Sequence, residues 1–353
     1  MKPVVSRKIA TYAQKCDQAQ KNIAVRGFQL AYRTMCNFKC SHCYVKAPNS
    51  ELKDRLTLEK VQDLAQQFDK LNAWEVGIQG GEPLLFPDLE DLIRCLDINR
   101  FYVCVISNGY FMTDDTAKNL ADLGVDRVAV SIDGFNEKDH DTLRKKRGSY
   151  ARCLHALECV KKAGMTAAIN MVIGHYNVWS KQFVPFVQFA KDNGYQIVMN
   201  PATPTGNWTN NYDIMLTEED SEYLLQLRKE YPVLMRDSWD FTDTKRKKVW
   251  GDPSGNLFFI TSNGDILPHP YVFISLGNVT DTSINEAVRK AWKVKYFRDK
   301  SPKSLAGEDI HFVKRFLSRD ITVLRPLSFE EAFSSQELHT SGEDEIIYKS
   351  IEV

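Results

Sequence analysis

Between residues 28 and 231 the apolar positions follow two periods in turn. At 28–33, 75–79, 102–106, 127–132, 167–173 and 196–199 they fall in short runs bounded by loop-forming residues, the pattern of buried strands. Between these runs they recur every three or four residues. Leu58, Val61, Leu64, Phe68 and Leu71 share one helical face behind the capping residue Thr57. Leu89, Leu92, Ile93 and Leu96 share another, opened by Pro87. Helices over 114–123, 150–163 and 181–192 each stop at a glycine, namely Gly124, Gly164 and Gly194. Thr217 caps a last helix that runs to Tyr231. This alternation of strand and helix predicts an α/β fold: a parallel sheet with crossover helices, forming a partial (β/α)6 barrel of the TIM type. In such a barrel the chemistry belongs at the C-terminal ends of the strands.

Beyond residue 232 the alternation breaks. Apolar runs at 257–261 and 265–267 flank Ser262-Asn263-Gly264, a hairpin signal, and a helix is expected over 284–296. The organisation predicted is an N-terminal extension over 1–27, a core barrel over 28–231 and a small α+β appendage over 232–326. The Ser- and Glu-rich tail over 327–353 is expected to be poorly ordered at its end.

Composition narrows the classes of function. Hydrophobic residues make up 43% and charged residues 26%, as in an ordinary globular chain, and 353 residues suffice for one barrel with an appendage. The 46 basic and 46 acidic residues cancel, so neither nucleic acid nor a membrane is expected as the main partner. The basic run Arg144-Lys145-Lys146-Arg147 reads as a solvated helix end. The polar first 21 residues carry no apolar run of signal-peptide type. No stretch reaches the roughly 18 apolar residues of a membrane helix, so a cytoplasmic protein is expected.

Cysteine placement changes the picture most. Of eight cysteines, Cys36, Cys40 and Cys43 crowd the loop after the first strand. In a reducing compartment such a group signals metal or catalysis rather than disulfides. Three thiolates can hold three irons of a [4Fe–4S] cluster and leave the fourth iron open to a ligand. The alternative is a zinc site with His42 as fourth ligand, although His42 stands next to Cys43 and is poorly placed to share one tetrahedron with it. Cys16, Cys95, Cys104, Cys153 and Cys159 fall on predicted helices and strands, as small buried hydrophobes.

The segment Cys36-Asn37-Phe38-Lys39-Cys40-Ser41-His42-Cys43-Tyr44 resembles the CxxxCxxC-aromatic signature of the radical S-adenosylmethionine superfamily. Further segments match that family in order, each after a predicted strand. Gly80-Gly81-Glu82-Pro83 resembles the segment that binds the amino group of the cofactor's methionine moiety. Ser107-Asn108-Gly109 looks like the ribose-contacting turn. Ser131 in Ser131-Ile132-Asp133-Gly134, with Arg144 downstream, resembles the pair that holds the cofactor's carboxylate. Asn170 and Met199 fall where further cofactor contacts occur, and His42 and Tyr44 join them from the cysteine loop. The resemblance implies a reduced [4Fe–4S] cluster that cleaves S-adenosylmethionine to a 5′-deoxyadenosyl radical, which then removes a hydrogen atom from substrate. It also implies an electron donor such as flavodoxin or ferredoxin.

The C-terminal region is similar to the SPASM and twitch branch of that family, but departs from it. Where that branch carries auxiliary-cluster cysteines, this chain has Asp252, His269 and Ser304. The reading taken is loss of the second cluster; a mononuclear metal on Asp252 and His269 is the alternative. The loop after the sixth strand supplies Trp208 as a pocket candidate, and Tyr212 and Asp213 as catalytic candidates. With no N-terminal module long enough for peptide recognition, a small-molecule biosynthetic substrate is expected. Modification of a ribosomally made peptide or protein is the alternative. An iron–sulfur or zinc-binding protein without catalysis, on a degenerate barrel, is the reading from another class.

Overall fold

The computed structural model describes residues 1–18, 24–44, 54–239, 251–299, 301–318 and 325–339. Six parallel strands build the barrel: β1 (Gly27–Arg33), β2 (Glu75–Gly80), β3 (Tyr102–Ser107), β4 (Arg127–Ser131), β5 (Thr166–Ile173) and β6 (Gln196–Pro201). Each pairs with its sequence neighbour, in registers such as Leu30↔Ile78, Val105↔Val128 and Ser131↔Asn170. The fold is therefore an α/β fold with a partial TIM-type barrel. The strand pattern has a simple origin. Val76, Ile78, Val103, Val105, Val128, Val130, Ile169, Met171, Ile197 and Met199 face outward into the main core. Alternate positions face inward, where the small side chains of Cys104, Ala129 and Ala168 form a separate cluster.

Helix α1 (Pro3–Gln18) lies outside the predicted elements; its Tyr12 and Cys16 pack with Ala24 and Trp74 in a small separate core. Lysines hold it as well. Lys2 Nζ donates to the carbonyls of Phe101 and Gly124, both at 3.0 Å, and Lys8 Nζ to those of Ala73 and Arg100, at 2.7 and 2.9 Å. Those carbonyls lie at or shortly before the starts of β2, β3 and β4, so α1 closes the N-terminal end of the barrel. Chemistry is left to the opposite end.

The covering helices are α2 (Leu58–Lys70), α3 (Leu89–Cys95), α4 (Asp114–Asp122), α5 (Glu137–Arg144), α6 (Ser149–Lys162), α7 (His175–Val178), α8 (Phe183–Asn193) and α9 (Glu218–Glu230). Of these, α5 is an addition to the predicted set. It is capped by Asn136, whose side chain accepts from Asp139 N, and it ends at Lys145 in the left-handed region, φ 51°.

β7 (Leu234–Met235) extends the sheet beyond β6. At the other edge, β8 (Leu257–Ile260) pairs in parallel with β1, and β9 (Ile266–Leu267) turns back antiparallel to β8 as the predicted hairpin. One sheet of nine strands thus runs through the barrel into the C-terminal region. Helix α10 (Ile284–Lys293) packs on that extension, with Trp292 Nε1 donating to the Gly255 carbonyl at 2.7 Å. Leu327–Ser328 pairs with Ile274–Ser275. The expected tail end, 340–353, lies outside the described residues. Among the described residues, no helix is long and apolar enough to cross a membrane.

Candidate functional site

The C-terminal ends of the strands open on a cavity of about 430 Å³. Cys36, Cys40 and Cys43 all line it. Their loop is pinned from two sides. Ser41 N donates to the Leu143 carbonyl of α5 at 2.9 Å, and Asn207, in the segment after β6, donates from Nδ2 to the Cys40 carbonyl at 2.9 Å. Phe38 N donates to Cys36 Sγ at 3.4 Å, and Arg144 Nη1 approaches Cys40 Sγ at 3.9 Å. Burial pushes the Cys40 thiol up to about 11 against the pull of Arg144, so bound metal is what would hold it as thiolate. N–H donors aimed at sulfur suit an iron–sulfur cluster. His42 does not join the cysteines; its Nε2 lies 3.1 Å from Asp133 Oδ2. Among the described residues, no group of three or more His, Cys, Asp or Glu side chains is gathered to hold a single ion. With His42 turned to Asp133, the three thiols and His42 do not form a closed zinc tetrahedron.

Gly80, Gly81 and Glu82 form the neighbouring wall. Gly81 N donates to the Arg33 carbonyl and Glu82 N to the Met35 carbonyl, both at 2.8 Å. A Cβ at Gly81 would collide with the Met35 carbonyl oxygen, and Gly80 has φ 130°. The two glycines thus let the end of β2 lie against the start of the cysteine loop. The Glu82 carboxylate is 1% exposed and already engaged. Oε1 accepts from Ser107 Oγ at 2.6 Å and Leu84 N at 3.1 Å, and Oε2 from Asn108 N at 2.7 Å. Burial pushes its pKa up, and these hydrogen bonds pull it back. The Ser107 hydroxyl is therefore committed to Glu82. Asn108 bonds through Nδ2 to Asn37 Oδ1 at 2.8 Å, tying the turn after β3 to the cysteine loop.

Across the cavity, Arg144 at the end of α5 faces Asp133, just past β4. Asp133 Oδ2 lies 2.5 Å from Arg144 Nη2, and Asp133 Oδ1 accepts from Val172 N at 2.8 Å. Burial alone would raise this carboxyl, but Arg144 and His42 outweigh it and hold it well below the ordinary carboxylate range. Asp133 is absent from the predicted site. Its signal is an acid directly after a strand, inside the same four-residue motif as Ser131. Ser131 and Asn170 line the cavity, and Asn170 Oδ1 accepts from Asn200 Nδ2 at 2.9 Å. Tyr44 also lines it and donates to Gln79 Oε1 at 2.7 Å.

Three predicted residues need correction. Met199 is 1% exposed and sits in the core under the helices, because successive strand residues face opposite ways; its neighbour Asn200 is the one turned to Asn170. Tyr212 and Asp213 fall in the short turn Tyr212–Ile214, away from the cavity wall. The Tyr212 hydroxyl bonds to Ser318 Oγ at 2.7 Å, and Asp213 is exposed. From the segment after β6, Pro201, Thr203, Asn207 and Trp208 reach the cavity instead. Tyr271, from the C-terminal region, joins them with its ring 5.0 Å from that of Tyr44. No sequence signal marks it.

In the C-terminal region, Asp252 Oδ1 accepts from Ser254 N at 2.9 Å and Oδ2 from Leu305 N at 2.8 Å. Its carboxylate braces two loops. Ser304 N donates to Glu308 Oε2 at 2.6 Å. His269 is buried, and burial holds its imidazole below the ordinary value.

Residues 33–186 match the Radical SAM superfamily. The chain is 24% identical over 297 residues to an AdoMet-dependent heme synthase of Methanosarcina barkeri, covering 77% of this chain and 84% of that one. It is 28% identical over 179 residues to the mycofactocin maturase MftC of Mycolicibacterium smegmatis, covering 50% and 45%. The structure of anSMEcpe with bound AdoMet and Cp18Cys peptide shares the fold, with TM-score 0.56 and 17% identity over 92% of this chain and 95% of that one. With the strand order and the cysteine loop in agreement with the family match, residues 33–186 form a radical S-adenosylmethionine domain, the domain of an enzyme whose cofactors are a [4Fe–4S] cluster and S-adenosylmethionine.

Proposed function

We propose that Cys36, Cys40 and Cys43 ligate the cluster, that the wall from Gly80 to Arg144 seats S-adenosylmethionine, and that the enzyme abstracts a hydrogen atom from a small-molecule biosynthetic substrate. The observation that carries the reading is that three thiols and the ends of β2 to β5 line one cavity. When bound, the cofactors supply reductive cleavage of a carbon–sulfur bond and hydrogen-atom abstraction. The chain supplies placement. Arg144 offers a charge-assisted contact to a carboxylate, oriented by Asp133. The backbone about Gly80 and Gly81 admits an ammonium closely. Asn108, Ser131 and Asn170 offer neutral polar contacts. Trp208 and Tyr271 wall the cavity on its far side and limit water there. We place the enzyme in the cytoplasm, where a reducing medium keeps the thiols available.

The small-molecule reading is supported by the heme synthase relative, which spans most of the chain. The second reading, modification of a peptide, is supported by the maturase relative and by the peptide-bound structural neighbour. The decisive experiment is anaerobic reconstitution, reduction and chromatography for 5′-deoxyadenosine. Its absence from fully loaded protein would defeat the reading. A small precursor peptide encoded beside the gene would favour the second substrate class over the first.

A further inference from the structure

Two side chains lie behind the cavity wall without lining it. His140 on α5 and Cys153 on α6 are both fully buried, and neither reaches the cavity. Each contacts the backbone of a cavity turn. His140 Nδ1 accepts from Asp133 N at 3.3 Å, in the motif that follows β4. A ring nitrogen that accepts carries no proton, and burial keeps the ring neutral, with its pKa at about 4. The proton is therefore on Nε2, which lies 3.7 Å from Cys153 Sγ. The Cys153 thiol lies 3.2 Å from the Asn108 carbonyl after β3 and 3.5 Å from the Ser131 carbonyl at the end of β4. Its one S–H faces these two oxygens. The donors thus run in one direction, from Asp133 N through His140 and Cys153 to the Asn108 carbonyl.

The packing follows the same path. A Cβ at Gly134 would collide with His140 N, and one at Gly109 would stand 3.0 Å from Ala156 Cβ on α6. The turn after β4 therefore lies directly on α5, and the turn after β3 on α6. Asp141 locks the two helices together: its Oδ1 accepts from Ser149 Oγ at 2.8 Å and from Tyr150 N at 3.0 Å. Arg144 stands one turn beyond His140 on α5. The α5–α6 pair thus sets the spacing between Asn108 on one side and Ser131 and Arg144 on the other. Cys153 reads in the sequence as a small buried hydrophobe, but an apolar side chain in its place would leave a buried Nε2–H without an acceptor.

We infer that His140 and Cys153 are positioning residues that fix the spacing between two halves of the cofactor seat, the turn at Asn108 and the side formed by Ser131 and Arg144. The inference rests on the reading that the wall from Gly80 to Arg144 seats S-adenosylmethionine. A ligand that spans both halves gains from a fixed spacing, because less of the site has to be ordered when it binds. A fragment that engages one half gains nothing from it.

The test uses the full chain, anaerobically reconstituted. The probes are S-adenosylmethionine, L-methionine and 5′-deoxyadenosine, the two fragments being measured by displacement of labelled S-adenosylmethionine. Cys153→Ala is expected to weaken S-adenosylmethionine roughly three- to tenfold, the size of one buried hydrogen bond, and to leave each fragment within about twofold of wild type. Cys153→Ser, whose hydroxyl can also accept from Nε2 and donate to a carbonyl, is expected to restore most of the affinity. His140→Leu should act like Cys153→Ala, and the two changes together should lose little more than either alone. Wild-type S-adenosylmethionine affinity in Cys153→Ala overturns the inference. So does an equal loss for the cofactor and both fragments, which would mean local damage to the turns rather than altered spacing. Losses from His140 and Cys153 that simply add overturn it as well. In each of these cases the wild-type protein still binds the cofactor, and the reading of the seat stands. If cluster-loaded wild-type protein fails to bind S-adenosylmethionine at all, that reading is defeated and the inference with it.

Discussion

Asp133 Oδ2 lies 2.5 Å from Arg144 Nη2, and the carboxylate that makes this contact is 2% exposed. The same oxygen faces His42 Nε2 at 3.1 Å. Both contacts lie off the usual hydrogen-bond directions, since Oδ2 has no partner at hydrogen-bond angles. Arg144 Nε is likewise buried without a hydrogen bond. A guanidinium placed so has one edge fixed by Asp133 and donors left over, the condition for receiving a second carboxylate. Asp133 also takes Val172 N, so one side chain joins β5, the end of α5 and the cysteine loop. It is a positioning residue for Arg144.

Arg144→Ala is expected to weaken S-adenosylmethionine binding by about 1.5–3 kcal/mol, on the order of ten- to a hundredfold, with iron content kept. Asp133→Asn should weaken it in the same direction while the guanidinium remains. Calorimetric titration of each variant and of the pair checks this. If Arg144 and Asp133 act as one unit, the double variant loses less than the two single losses added. Wild-type affinity in Arg144→Ala would remove Arg144 from the cofactor site.

Gly81→Ala is expected to impair cluster loading rather than cofactor contact alone. Its Cβ would meet the Met35 carbonyl oxygen, backbone that also accepts from Glu82 N. Relieving the overlap means moving the start of the cysteine loop, a strain of about 1–3 kcal/mol. Iron and sulfide assays after reconstitution should fall clearly below wild type. Full loading would show that the loop yields without consequence.

The barrel is legible in the sequence because its strands carry branched apolar residues on the outward face, as at Val103 and Val105, and its helices keep a clear period, as at Val61, Leu64 and Phe68. Helix α1 falls outside the predicted elements although Val5, Tyr12 and Cys16 bury one face of it; the lysine-to-carbonyl contacts that also fix it leave no apolar trace. Nor is the pairing of β8 with β1, where Gly27 meets Leu257 across most of the chain. At the site, the motifs locate the correct strand ends but not the direction of each side chain. Glu82 turns to Ser107 and Asn108, and Met199 turns under the helices. Tyr271 reaches the cavity only through tertiary packing, which spacing does not reveal, whereas Asp133 stands in the same motif as Ser131 and draws its part from the contact with Arg144.

His140 gives stability a pH dependence. It is fully buried, its Nδ1 accepts from Asp133 N at 3.3 Å, and burial together with Arg144 holds its pKa at about 4. In the unfolded chain the value returns to about 6.5. Above that pH both states are neutral. As pH falls from about 6.5 toward 4, the unfolded chain takes up a proton that the folded chain refuses, and stability is lost. The loss attributable to His140 is about 3 kcal/mol across that window. His140→Gln, which keeps an acceptor for Asp133 N, should flatten this part of the profile in denaturant titrations at pH 7, 5.5 and 4.5. An unchanged slope would assign the acid sensitivity to other groups.

The number of clusters follows from which side chains remain to hold one. All three cysteines of the cavity loop face the cavity, and the chain has no cysteine beyond Cys159. Both oxygens of Asp252 are occupied by backbone N–H groups of Ser254 and Leu305, so it serves as a brace between loops. Reconstituted protein is therefore expected to hold about four irons and about four sulfides per chain. Replacing Cys36, Cys40 and Cys43 together by Ala should leave almost none and abolish 5′-deoxyadenosine formation. Asp252→Ala should lower thermal stability while iron content stays unchanged. If the triple variant still holds about four irons with sulfide, a second cluster exists on ligands outside this set. If it holds about one metal ion without sulfide, and His269→Ala releases that ion, the C-terminal region carries a mononuclear site instead.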